Sequence, residues 1–188
     1  MKRLLFIGDV HGKIKKYHDI IKSTDCHTRQ VGDFGFRKHH RWHIKNIDSS
    51  KHKILHGNHD DNKYVYAKHS LGDYHFDKNN NLFSVRGAMS IDRHLRIEGR
   101  DWWRNEELSY KQFGNAIDYF ELCKPKITMS HDCPQSIREQ SITSNGLQAM
   151  FEIHQPKIWV FGHHHKSIDV TINETRFICL NELETVLI

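Results

Sequence analysis

The sequence predicts a mixed α/β fold in a single domain spanning residues 1–188. Three observations lead there. In the first third, short apolar runs that end at glycine alternate with amphipathic stretches. In the last third, apolar runs follow one another with no helical stretch between them. No internal repeat or low-complexity linker divides the chain, and it has only 3 prolines in 188 residues.

The elements follow in order. Residues 3–8, RLLFIG, form an apolar run ending at glycine and predict a buried strand. KIKKYHDIIKS then puts Ile14, Tyr17, Ile20 and Ile21 at helical spacing on one face. RQVGD (29–33) predicts a short strand, 38–49 a second helix, and HKILHGN (52–58) a third strand. Strand, helix, strand, helix, strand is the pattern of a parallel sheet. NLFSVRG (81–87) predicts a strand, 88–105 a long loop, and 109–124 a helix. KITMSH (126–131) predicts a strand, 144–154 a helix, and KIWVFGH, SIDVTI, TRFICLN and ETVLI four closing strands. With no helix between those last strands, an antiparallel section is expected.

Composition narrows the function classes. Apolar residues make up 37% and charged residues 27%, as in a soluble globular protein. No run of 18 apolar residues occurs, so no membrane-spanning helix is expected. The opening MKRLLFIGDVHG has an apolar run too short for a secretory signal and predicts a cytoplasmic protein. Cys26, Cys123, Cys133 and Cys179 form no C-x-x-C pair and read as reduced thiols. The net charge is +5, with a pI near 9.0, which suits an anionic substrate. The basic residues are spread along the chain. RKHHRWHIK (37–45) is the one dense basic stretch and reads as a solvated helix face.

The chemistry collects where strands end. The first is followed by Asp9-Val10-His11, the second by Gly32-Asp33, and the third by Gly57-Asn58-His59-Asp60. Later strands lead into Ser130-His131-Asp132 and Gly162-His163-His164-His165. Five strand ends each deliver a metal-competent side chain, usually beside a glycine. In an open α/β sheet the carboxyl ends of parallel strands share one edge, where ligands bind. Alternation along an extended chain predicts Asp9 and His11 on one side with Val10 packed elsewhere. It likewise predicts His163 and His165 together, with His164 turned away.

These five blocks, in this order across residues 9–165, resemble the signature of the calcineurin-like metallophosphoesterases. The resemblance implies a β-sandwich of two mixed sheets flanked by helices, a four-layer arrangement. It implies two divalent metal ions, with Mn favoured and Fe, Zn, Ni or Co open. Asp9, His11 and His165 would hold one ion; Asn58, His131 and His163 would hold the other; Asp33 would bridge them. His59 would face the substrate as general acid. Paired ions neutralise phosphate oxygens and lower the pKa of a bound water, so a metal-bound hydroxide can attack the ester. The phosphoprotein phosphatases of this superfamily carry Gly-Asp-x-x-Asp-Arg-Gly, where this chain has GDFGFRK. Arg37 stands at the arginine's offset and is the candidate phosphate contact. Phe36 replaces the aspartate that orients the histidine, which leaves Asp60 or Asp132 for that task.

The expected activity is hydrolysis of a phosphomonoester, either a phosphoprotein or a small phosphate ester. The competing reading is a phosphodiesterase or nuclease acting on nucleic acid or cyclic nucleotides. A third is a non-enzymatic metal scaffold, which the complete set of seven ligand positions and His59 disfavours. Arg86, Arg93, Arg96 and Arg100 crowd the end of the strand at 81–87 and the loop that follows it, as further candidates for phosphate contact. Trp102 and Trp103 read as a cap over the core, or else as a lid whose indole could stack on a leaving group. No membrane partner is expected, and the oligomeric state is left open.

Overall fold

The computed structural model describes residues 3–35, 44–65, 67–137 and 141–188. Strand β1 (Leu4–Ile7) leads into helix α1 (Ile14–Lys22), then β2 (His27–Gln30) and β3 (His52–Ile54). A hairpin of β4 (Tyr74–Asp77) and β5 (Leu82–Val85) follows, and then a long loop to α2 (Tyr110–Cys123). β6 (Ile127–Ser130), α3 (Ile142–Ile153), β7 (Ile158–Phe161), β8 (Ile168–Ile172), β9 (Thr175–Cys179) and β10 (Thr185–Leu187) complete the chain. They build a four-stranded sheet, β10-β1-β2-β3, and a six-stranded sheet, β4-β5-β6-β7-β9-β8. β1, β2 and β3 run parallel, as do β5, β6, β7 and β9.

Period-two alternation explains the layers. From β1, Leu4 and Phe6 face a core shared by both sheets, while Ile7 faces α1. In the second sheet, Met129, Val160 and Ile178 join Leu4 and Phe6 in that shared core. Their neighbours Trp159, Phe161, Phe177 and Cys179 point the other way, onto Phe113, Phe120, Leu147 and Met150 of α2 and α3. The central strands β1 and β7 are therefore apolar on both faces, which is why they read as continuous runs. The result is helix, sheet, sheet, helices: the two mixed sheets flanked by helices that the resemblance implied.

The helices start where their caps are. Ser109 and Gln112 form a capping box on α2, and Ser141 and Ser144 form one on α3. Both helices begin within two residues of the predicted positions. α2 ends at Lys124 in the left-handed conformation, just before Pro125.

One strand was missed, two readings are corrected, and the expected antiparallel section is present in part. β4 was not predicted: YHFD is a partly exposed edge strand without an apolar run, and it closes a hairpin through the Asp77 carboxylate, which accepts the Asn79 and Asn80 N–H groups at 3.1 and 3.3 Å. The predicted helix at 38–49 lies partly outside the described residues. From residue 44 the chain runs in turns, with Ile47 N–H donating to the Ile44 carbonyl at 3.1 Å. The tail is only partly antiparallel. β8 and β9 form a hairpin, but β9 is parallel to β7, and β10 crosses over to pair antiparallel with β1. The strands at 29–33 and 52–58 stop at Gln30 and Ile54. The residues after them turn inward instead of extending the ladder.

Candidate active site

The expected residues converge at the carboxyl ends of β1, β2, β3, β6 and β7. Two groups of donor atoms share Asp33, each with its atoms within 4.8 Å of one another: Asp9, His11, Asp33 and His165, and Asp33, His131 and His163. His11 Nε2 and His165 Nε2 face each other at 2.8 Å. Asp9 Oδ2 lies 3.8 Å from the first and 3.4 Å from the second. On the other side, His131 Nε2 lies 3.3 Å from Asp33 Oδ1 and 3.1 Å from Asn58 Oδ1.

The pleat of a strand does not make this convergence. His11, Asp33, His163 and His165 have φ of 46°, 52°, 66° and 49°, all in the left-handed region. Each such residue costs about 1–2 kcal/mol relative to a right-handed conformation. Backbone bonds hold them there: Val10 N–H and His11 N–H both donate to the Asp33 carbonyl, at 3.0 and 2.7 Å. His59 N–H donates to Asp33 Oδ1 at 2.8 Å, and His163 N–H to Asp9 Oδ2 at 3.0 Å. Asp9 and His11 do share a side, with Val10 in the core as expected. The cause is a sharp turn rather than an extended strand. The glycines make room for it. A Cβ on Gly32, at φ +125°, would lie 2.2 Å from His131 Nδ1, and one on Gly162 would lie 2.2 Å from Asp9 Oδ1.

Hydrogen bonds set the orientation of the buried half. His131 Nδ1 lies 3.1 Å from the Val31 carbonyl, which can only accept, so Nδ1 carries a proton there. Asn58 Nδ2 donates to Ser90 Oγ at 2.9 Å, which turns Oδ1 inward. Ser90 Oγ in turn donates to Glu106 Oε2 at 2.6 Å, and Ser90 N–H donates to Glu106 Oε1 at 3.0 Å. The His131 Nε2 lone pair, Asn58 Oδ1 and an Asp33 carboxylate oxygen thus point at one another. Three acceptors in a buried space require a cation or a proton between them. Asp33 Oδ2 is also buried without a hydrogen-bond partner, facing His11 Nε2 at 3.8 Å and His59 Nε2 at 3.9 Å.

The electrostatics agree with that geometry. Burial would raise the Asp33 carboxyl, but His131, and more weakly His59 and His11, hold it well below the usual carboxylate range. Burial would lower His131, but the Asp33 carboxylate raises it above the ordinary histidine value. Burial lowers His163 to about 3, which keeps that ring neutral with a lone pair free to bind an ion. His59 is lowered too, chiefly by burial, with Asp33 opposing and Arg96 assisting.

Several expectations about single residues need correction. His164 is not idle: its Nε2 lies 3.2 Å from Asp132 Oδ1 and 3.3 Å from Cys133 Sγ. Neither Asp60 nor Asp132 orients His59. The Asp60 carboxylate accepts from Phe34, Gly35 and Gly57 N–H groups at 3.2, 2.7 and 2.9 Å, fastening the second and third loops together. Asp132 accepts from Cys133 N–H at 2.8 Å besides its contact with His164. Arg86 is buried, donating to Asp73 at 2.7 Å and to the Asn105 carbonyl at 3.1 Å, so it is no phosphate contact. Trp103 is buried and Trp102 half-buried, in line with packing rather than a free stacking face. Arg37 lies outside the described residues. Ser90 and Glu106 went unnoticed in the sequence because no local spacing links them to Asn58.

The pattern of the calcineurin-like phosphoesterases matches residues 2–167. The chain belongs to that family. This phosphoesterase is a metal-dependent phosphoric ester hydrolase. No curated protein matches its sequence. Its fold is similar to that of the Thermus thermophilus protein TT1561, with TM-score 0.63, 14% identity, and coverage of 97% of this chain and 90% of that one. It is similar to the phosphopantetheinyl hydrolase of Mycobacterium tuberculosis, with TM-score 0.58, 11% identity, and coverage of 95% and 89%. It is also similar to a Staphylococcus aureus protein described as a 5'-nucleotidase, with TM-score 0.57, 14% identity, and coverage of 98% of this chain and 50% of that one. Among the described residues no helix is long and apolar enough to cross a membrane.

Proposed function

We propose that this phosphoesterase is a single-domain enzyme that hydrolyses a phosphomonoester at a dinuclear centre. Asp9, His11 and His165 would hold one ion and Asn58, His131 and His163 the other, with Asp33 shared between the two groups. The observation that carries this reading is the buried, unpartnered Asp33 Oδ2 between two groups of inward-facing donor atoms. The donors are carboxylate and amide oxygen and imidazole nitrogen with no thiolate, which suits Mn, Fe, Zn, Ni or Co. Bound ions supply charge neutralisation of the phosphate oxygens and a lowered pKa for water.

The chain's own residues do the rest. Asp33 and Asp9 balance the positive charge. His59, with Nε2 on the site side, would hydrogen-bond the leaving oxygen through Nε2–H and so stabilise its developing charge. The loop 88–106 is pinned beside His59 through Arg96, so the leaving-group side is bounded. A bounded side supports an ester with one substituent over a diester that needs room for two. The four free cysteines support a reducing compartment such as the cytoplasm.

Mn-dependent rates on a nitrophenyl phosphate monoester and its bis-ester, with EDTA as control, test the reading. A higher kcat/KM on the monoester is expected. A preference for the bis-ester would move the assignment to a phosphodiesterase, and no metal-dependent rate on either would remove it.

A further inference from the structure

His59 Nδ1 is met by an arginine. Arg96 Nη1 lies 2.9 Å from it. Asp60 and Asp132, the two carboxylates expected to orient His59, are engaged on backbone N–H groups and His164 as described above. Arg96 is itself clamped: Nε and Nη2 donate to the two oxygens of Asp92 at 2.6 and 2.8 Å, and Nη1 also reaches the Asp101 carbonyl at 3.3 Å. These contacts occupy four of the five N–H donors of a guanidinium, so little of Arg96 remains to bind a substrate phosphate.

The direction of the bond follows from chemistry. A guanidinium has donors only and keeps its charge in proteins. Nδ1 of His59 must therefore accept, and the neutral ring carries its proton on Nε2. That nitrogen faces the centre, 3.9 Å from Asp33 Oδ2. A carboxylate at the same place would do the opposite: it would keep the proton on Nδ1 and leave a lone pair on Nε2. We propose that Arg96 is the positioning residue for His59, fixing the ring and selecting the neutral tautomer whose Nε2–H hydrogen-bonds the leaving oxygen; that oxygen takes its proton from water, since giving up Nε2–H would leave the ring an imidazolate. A second observation agrees. The same loop reaches the adjacent Asn58 through Ser90 and Glu106. One loop thus orients both members of the Asn58-His59 pair.

This inference rests on His59 acting on the leaving group, and its test separates the two claims. Wild type, Arg96→Ala, Arg96→Lys and Asp92→Asn are loaded with zinc. Zinc content, kcat and KM are measured on the nitrophenyl and phenyl esters of whichever class the wild type hydrolyses, and the His59 ring nitrogens are read by ¹⁵N NMR. Arg96→Ala is expected to keep its zinc and nearly its KM. Its kcat on the phenyl ester should fall about 10–100-fold, the range for losing the partner that orients a functional group, and less on the nitrophenyl ester, which needs less help in leaving. The His59 signals should shift from a pure Nε2–H tautomer to a mixture, and Arg96→Lys, which retains one donor, should restore part of both. If Arg96→Ala does not fold, Asp92→Asn should show the same pattern in weaker form. A raised KM with kcat retained, or an unchanged tautomer with equal losses on both esters, would overturn the role of Arg96. A wild type that binds zinc yet hydrolyses neither ester would overturn the functional reading and, with it, the role given to Arg96.

Discussion

The two halves of the centre are held by different means. In the inner half, His131 is fully buried and takes its tautomer from the Val31 carbonyl, while Asn58 takes its orientation from Ser90 and Glu106. Side-chain hydrogen bonds aim His131 and Asn58, while His163 is turned by a positive φ like the outer histidines. In the outer half, the His165 and His11 side chains are 47% and 21% exposed, and both residues sit at positive φ. Backbone turns set that half, and solvent reaches it. The lesson is a division of labour. His131 and Asn58 are held by side-chain partners and shielded, whereas His11 and His165 lie open to solvent, so in the proposed centre the outer position would be the exchangeable one.

The largest effect should come from removing what the halves share. Asp33→Ala is expected to lose both ions and reduce hydrolysis to background, measured by metal analysis alongside rate. Retention of one full equivalent of metal would show that the halves are independent. His59→Ala lies outside both halves, so both ions should stay while kcat falls by about 10²–10⁴-fold for an ester with a poor leaving group. An unchanged rate on such an ester would remove His59 from the chemistry. Gly162→Ala attacks the outer half through the backbone, because its Cβ would sit 2.2 Å from Asp9 Oδ1. It should cost about 1–3 kcal/mol in urea unfolding and weaken the outer ion first. Loss of the inner ion instead would reverse the assignment of Asp9. The mildest change is Ser90→Ala, which frees the Asn58 amide. It should weaken the inner ion by about 10–100-fold in a chelator competition and leave the outer one unchanged. Equal weakening of both would mean that Ser90 supports the fold generally rather than Asn58.

Most of the elements were legible because their signals are local. β1, β5, β6 and β7 appeared as strands because they are largely buried on both faces. β4 escaped because an exposed edge strand needs no apolar side chains. β10 was seen as a strand, but its partner was not, since nothing in ETVLI says that it pairs with the first strand of the chain. Within the site, the converging residues were legible because each follows a strand and most sit beside a glycine.

The sequence by itself determined which residues meet: Asp9, His11, Asp33, Asn58, His59, His131, His163 and His165 each lie where a strand runs out, and parallel strands deliver their ends to one edge. Tertiary structure decided how each is held. That His11 and His165 turn by positive φ, that Ser90 and Glu106 fix Asn58, and that Arg96 stands at His59 Nδ1 all depend on loops folded back from far along the chain. Metal-competent residue types are written in local order, but a hydrogen bond between residues 59 and 96 has no local trace.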